Sequence, residues 1–208
     1  MLCKLFFRTY LIKHFFVIGG EQKMIKKKNE LWEWTKALLI AVVLAAVIRY
    51  FLFAPIVVDG LSMMPTLQHQ DRMIVNKLSY NIGEPKRFDI IVFHAPEQKD
   101  YIKRVIGLPG DRIEYKNDTL YVNGKAYEEP YLAEYKKKVE GPLTDPFTLE
   151  ETPAGVETVP EGELFVMGDN RRFSKDSRHI GTIALDKIIG KTSIVYWPLK
   201  DAHIVNVK

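Results

Sequence analysis

Thr119-Leu120-Tyr121-Val122-Asn123-Gly124-Lys125-Ala126-Tyr127 reads as two short strands folded back on each other. Asn-Gly is the dipeptide that best tolerates positive φ at both central positions, which a type I′ turn requires. Just upstream, Asn117-Asp118 separates Arg112–Tyr115 from Thr119–Val122 in the same manner. Working outward, β-rich runs recur at Ile56–Val58, Arg72–Lys77, Asp89–His94, Tyr101–Gly107, Glu163–Met167 and Lys191–Trp197. Many short strands with local turns predict a mostly β fold, an antiparallel or barrel-like sheet rather than βαβ units. Residues 128–162 are rich in Pro, Gly, Glu and Lys and read as a small inserted excursion. No internal repeat is present.

Before Pro55 the pattern differs. Trp34–Phe53 is an apolar segment close to the ~20 residues that cross a bilayer core. Lys36 and Arg49 lie near its ends, where they can snorkel, and Trp32, Trp34 and Tyr50 suit the interfacial belts. Lys26, Lys27 and Lys28 precede it and favour a cytoplasmic amino end. The expected order is a cytoplasmic segment 1–33, a single transmembrane helix 34–53 and an extracytoplasmic domain 54–208, at a cell membrane and in contact with its lipid. A cleaved signal peptide fits less well, because the core is long and no small-x-small site closes it. Residues 1–23 carry an apolar run broken by Arg8, Lys13 and His14. Translation starting at Met24 would account for them, since Gly19-Gly20-Glu21 would be encoded by purine-rich codons resembling a ribosome-binding site.

At 208 residues the chain holds one such segment and one ordinary domain. A single cysteine, Cys3, excludes an intramolecular disulfide and a Cys-based metal site, and five scattered histidines lack ligand spacing, so no metal is expected. The net charge of +4 without a basic, aromatic-interleaved tract argues against nucleic acid.

Ser62 stands in Val58-Asp59-Gly60-Leu61-Ser62-Met63-Met64-Pro65-Thr66-Leu67, an extended stretch ending in a sharp turn from which a side chain projects. A serine hydroxyl needs a base, and His69, His94 and His179 lie in no triad pattern. Lys103, in Asp100-Tyr101-Ile102-Lys103-Arg104-Val105-Ile106-Gly107-Leu108-Pro109-Gly110-Asp111, is the better candidate. At pH 7 a free lysine is neutral in about one molecule in 2,500, a cost of roughly 4.6 kcal/mol. Tyr101, Lys103 and Val105 share one strand face, so apolar neighbours can lower that cost by desolvating the amine. Arg104 points the other way and stays charged. A third run, Gly168-Asp169-Asn170-Arg171-Arg172-Phe173-Ser174-Lys175-Asp176-Ser177-Arg178, is dense in charges and hydroxyls directly after the strand Leu164–Met167.

Taken in this order, the three runs and the apolar segment resemble bacterial type I signal peptidases, the membrane-anchored serine proteases that remove signal peptides from exported preproteins. The resemblance covers most of the chain from Met24 onward and includes Asp71-Arg72. It implies Ser62 as nucleophile and Lys103 as general base, without a cofactor. Ser174 is expected to hydrogen-bond the lysine, Asp169 to pair with Arg104, and Asp176 with Arg178. Met63, Tyr101 and Ile102 are expected to line shallow pockets for small residues at −1 and −3. The substrate would lie extended against strand edges near 55–61 and 100–103.

The chain departs from that family at two places. Gly60 stands where some members carry a serine, so the oxyanion hole, assigned to Ser62 and Gly60, would rest on backbone N–H groups, chiefly that of Ser62, as in the Gram-positive branch. Arg172-Phe173 replaces the more familiar Asp-Asn. The chain also lacks the large extra domain of Gram-negative members. Two other readings compete: a Ser/Lys self-cleaving repressor, which would carry a DNA-binding domain in place of the apolar segment, and a membrane-anchored β binding module without enzymatic activity.

Overall fold

A computed structural model describes residues 30–79 and 83–205, with the side chains of residues 50 and 51 left out. The proposed Met24 start, Lys26–Lys28 and the interfacial role of the Tyr50 side chain fall outside what it describes. The chain divides into two compact units between Val43 and Leu44.

Helix α1 runs Glu30–Val47 and passes into a π-helical turn, Ile48–Leu52; Phe53 is already in strand β1, Phe53–Val57. The helical run thus takes in the expected segment 34–53 except for Phe53. Glu30, Glu33 and Lys36 occupy the first turns; at the other end Pro55 cannot continue a helix and biases Ala54 towards extended backbone, so the helical run stops before Phe53. Among the described residues no helix is long and apolar enough to cross a membrane. No residue of α1 is buried.

The strands continue as β2 Arg72–Asn76, β3 Ile90–His94, β4 Asp100–Gly107, β5 Ile113–Lys116, β6 Thr119–Val122, β7 Lys125–Tyr127, β8 Phe147–Thr148, β9 Glu163–Met167, β10 Ile183–Ala184, β11 Ile188–Trp197 and β12 His203–Ile204. Two short helices, α2 Ala133–Lys136 and α3 Ser177–Ile180, interrupt them. The larger sheet has the order β1-β2-β11-β3-β4-β9-β10, with β12 added to β11; the smaller is β7-β6-β5-β8. Every strand pairing among the described residues is antiparallel. Register shifts along β11 against β2 and β3 bend that strand and curl the sheet.

Both predicted turns have positive φ at their central residues, Asn117 and Asp118 in one and Asn123 and Gly124 in the other. The 128–162 excursion is not separate from the sheets, because its strand β8 pairs with β5. β3 is apolar and buried from Ile90 to Phe93, since both its faces are covered there, and ends on the exposed His94. Ile90 packs with Val58, Met63, Leu67 and Met73, whereas Ile91 and Phe93 pack with Val105, Leu164 and Val166. A third cluster, including Ile106, Ile113, Leu120, Phe165 and Met167, joins the two sheets.

Two features of the topology prepare the site. β9 pairs with β4 from Arg104 to Gly107 and no earlier, so residues 100–103 have, among the described residues, a strand partner on the β3 side alone. β1 pairs with β2 and has no strand on its other edge among the described residues.

Candidate active site

The turn carrying Ser62 leaves the end of β1 with Gly60 at φ +100°, a left-handed conformation that a side chain would strain. Val58 N–H donates to Asp71 O (2.8 Å) and Gln70 N–H to Val58 O (2.9 Å), which ties the turn's start to the entry of β2. On its far side Asn170 grips the backbone: its N–H donates to Ser62 O and its side-chain amide to Leu61 O, both at 3.0 Å. Gly168 fits against the same backbone. A Cβ there would stand 2.4 Å from Ser62 O and 2.1 Å from Ser174 Oγ, too close for any side chain.

Lys103 approaches from β4. Its amine lies 2.8 Å from Ser62 Oγ and 3.0 Å from Ile102 O. The residue is 3% exposed. Burial pulls its pKa down to about 8, against the carboxylates of Asp176 and Asp169, which favour the charged form. The Tyr101 ring lies beneath the amine, 4.9 Å from its centroid. Ser62 and Lys103, 41 residues apart, are thus brought into direct hydrogen-bond contact.

Asp169 and Arg104 also meet, in a fully buried two-pronged pair with Nε–Oδ1 at 2.8 Å and Nη2–Oδ2 at 2.6 Å. Thr66 Oγ1 donates to the same carboxylate at 2.5 Å, and the guanidinium packs on the Tyr131 ring at 3.8 Å. Although burial alone would lower it, the Arg104 pKa is raised by Asp169. Asp176 accepts from Arg178 Nε and Nη2, both at 2.8 Å, and from Gly168 N–H at 2.9 Å. It also caps α3 through Arg178 N–H. Burial pushes the Asp176 carboxyl up, but these donors outweigh it and hold it below the usual carboxylate range.

Two assignments differ from the expectation. Ser174 is buried beside Gly168, yet its Oγ makes no hydrogen bond to Lys103, whose amine is already turned to Ser62 and Ile102 O. Gly60 directs its N–H to His69 Nδ1 at 3.2 Å, away from an oxyanion role. The Ser62 N–H has no partner among the described residues.

A cleft of about 780 Å³ contains Ser62 and Lys103; Met63, Tyr101 and Ile102 line it, together with Ile56–Leu61. Met63 and Ile102 belong to the core as well, so the pocket floor is continuous with it.

Arg171 stands in the third run, but its buried partners gave no sequence signal. Arg171 donates to Glu129 Oε1 and Tyr115 OH, both at 2.5 Å, and to Gly168 O at 3.0 Å, while Tyr131 OH donates to Glu129 at 2.7 Å. Burial raises the Glu129 pKa, but Arg171 overrides this and the carboxyl stays below the ordinary range. Glu129 lies 42 residues away in the irregular excursion, where no periodicity marks it for burial.

A serine hydroxyl facing a desolvated amine in a cleft is an arrangement that serine hydrolase chemistry can use. Residues 31–197 match the family described as signal peptidase, peptidase S26, and the chain belongs to that family. It is 55% identical to "Signal peptidase I" of Bacillus caldolyticus over 86% of this chain and 96% of that one. Identity is 46% with "Signal peptidase I S" of Bacillus subtilis strain 168, over 88% and 97% of the two chains. The crystal structure of a signal peptidase I from Enterococcus faecalis V583 superposes with a TM-score of 0.51 at 46% identity, covering 52% of this chain and 97% of that one. These relatives set aside both the repressor and the non-enzymatic module.

Proposed function

We propose that this chain removes N-terminal signal peptides from secretory preproteins, with Ser62 as nucleophile and Lys103 as general base. The observation that carries the proposal is the 2.8 Å contact between Ser62 Oγ and an amine whose pKa is about 8. At pH 7 such an amine is neutral in about one molecule in ten. Its lone pair accepts the Ser62 proton as Oγ attacks the carbonyl of the −1 residue. The ammonium then protonates the departing amine, and water hydrolyses the acyl-enzyme. The Ser62 N–H faces the developing oxyanion. The bound precursor adds an extended strand at residues 100–103 and 55–61, with small −1 and −3 side chains over Met63 and Ile102.

Helix α1 seats this domain at the membrane, with the cleft on the extracytoplasmic side. The uncharged stretch Ala37–Ile48, from α1 into the first residue of the π-helical turn, covers about 18 Å. That is short of a ~30 Å hydrocarbon core, so crossing requires Lys36 and Arg49 to snorkel. A reporter fused after Lys208 should score as extracytoplasmic; a cytoplasmic score would reject this topology.

The full chain purified in detergent should cleave a secretory precursor after a small residue, at a rate that rises with pH through about 8. Ser62→Ala and Lys103→Ala should each lower the rate by about four orders of magnitude or more. Retained cleavage by Ser62→Ala would overturn the assignment.

A further inference from the structure

Arg172-Phe173, where the chain departs from the family it resembles, sits at the tip of the loop between β9 and α3. Arg172 is fastened to the excursion, donating to Glu140 O at 2.6 Å and to Pro142 O at 2.8 Å. Phe173 N–H donates to Asn170 O at 3.0 Å, and Asn170 is bound to the nucleophile's own turn. Beyond Phe173, Lys175 pairs with Glu97, which also accepts from Tyr101 OH at 2.9 Å. The loop is therefore pinned before and after an aromatic side chain that is 75% exposed and lines the cleft.

An extended peptide turns alternate side chains to opposite faces. With −1 and −3 directed at the floor, where Met63 is 2% exposed, the −2 side chain points outward to the rim. Phe173 stands at that rim on a fixed stem, so covering an apolar side chain there needs little reordering of the protein. We infer that Phe173 contacts the −2 residue of the bound signal peptide and selects for a large apolar or aromatic one. This rests on the peptidase reading above.

The test uses the full chain in detergent and precursors differing only at −2. With leucine or phenylalanine at −2, kcat/KM should exceed that with alanine by about fivefold or more. Phe173→Asn should bring this ratio close to one, and Phe173→Leu should keep most of it. The preference for alanine over leucine at −1 should be the same in all three proteins. The exposed side chain supports no core, so the variants should melt with the parent. A parent enzyme indifferent to −2, a ratio unchanged in Phe173→Asn, or a change confined to −1 would overturn the inference while leaving the peptidase reading intact. A parent enzyme that cleaves none of the precursors would overturn both.

Discussion

Lys103 carries its charge at a cost. Its folded pKa is about 8, whereas an unfolded chain holds a lysine near ~10.4, so the folded state binds this proton less tightly. The resulting instability is fully present below pH 8 and is relieved as pH rises toward ~10.4. Lys103→Met, while inactive, should therefore be more stable than the parent at pH 7 by roughly 1–3 kcal/mol, the gain shrinking above pH 8. Urea unfolding of both proteins in detergent at pH 7 and 9.5 checks this; a gain independent of pH would contradict it. Ser174 offers a second check, since its Oγ makes no hydrogen bond to the amine. The pH–rate limb near 8 should stay in place in Ser174→Ala, and a limb displaced by half a pH unit or more would show that the hydroxyl acts on the lysine. The contact between Ser62 and Lys103 and the two ion pairs were legible through the family resemblance that their short, distinctive runs carry. The orientation of a hydroxyl or of a single N–H, as at Ser174 and Gly60, depends on local rotamers and turn geometry that no run encodes.

At the level of elements, hairpins were the easiest feature to read, because two residues of positive φ determine each turn. The two-residue strands β8, β10 and β12 were missed, being too short to show an alternation. The passage from helix to β1 is harder to read for another reason: apolar character continues from one into the other, and composition alone does not separate them. The loop after β9 holds the most exacting packing position. Gly168→Ala would drive a methyl group into Ser62 O and Ser174 Oγ. It should lower kcat by about a hundredfold by displacing the nucleophile, consistent with the sensitivity of catalysis to ~1 Å shifts. Turnover within threefold of the parent would mean that this backbone relaxes freely.

Across the whole molecule, the excursion and the catalytic sheet meet at Arg171 and Glu129, which are 0% and 2% exposed at their side chains. Removing either partner leaves a buried charge uncompensated, so Arg171→Met and Glu129→Gln should each destabilise the protein by about 3–5 kcal/mol. The double change to Arg171→Met and Glu129→Leu should recover part of that loss. Thermal melts of the three variants test this, and equal losses in single and double variants would argue against coupling. The same arginine also donates to Gly168 O, one residue before Asp169 and directly behind the nucleophile's turn. Damage to this network should thereby disturb the turn that carries Ser62. Lesions at Tyr115 or Tyr131, distant in sequence from either reactive group, should masquerade as active-site defects: turnover would fail while the bulk of the protein still holds its shape.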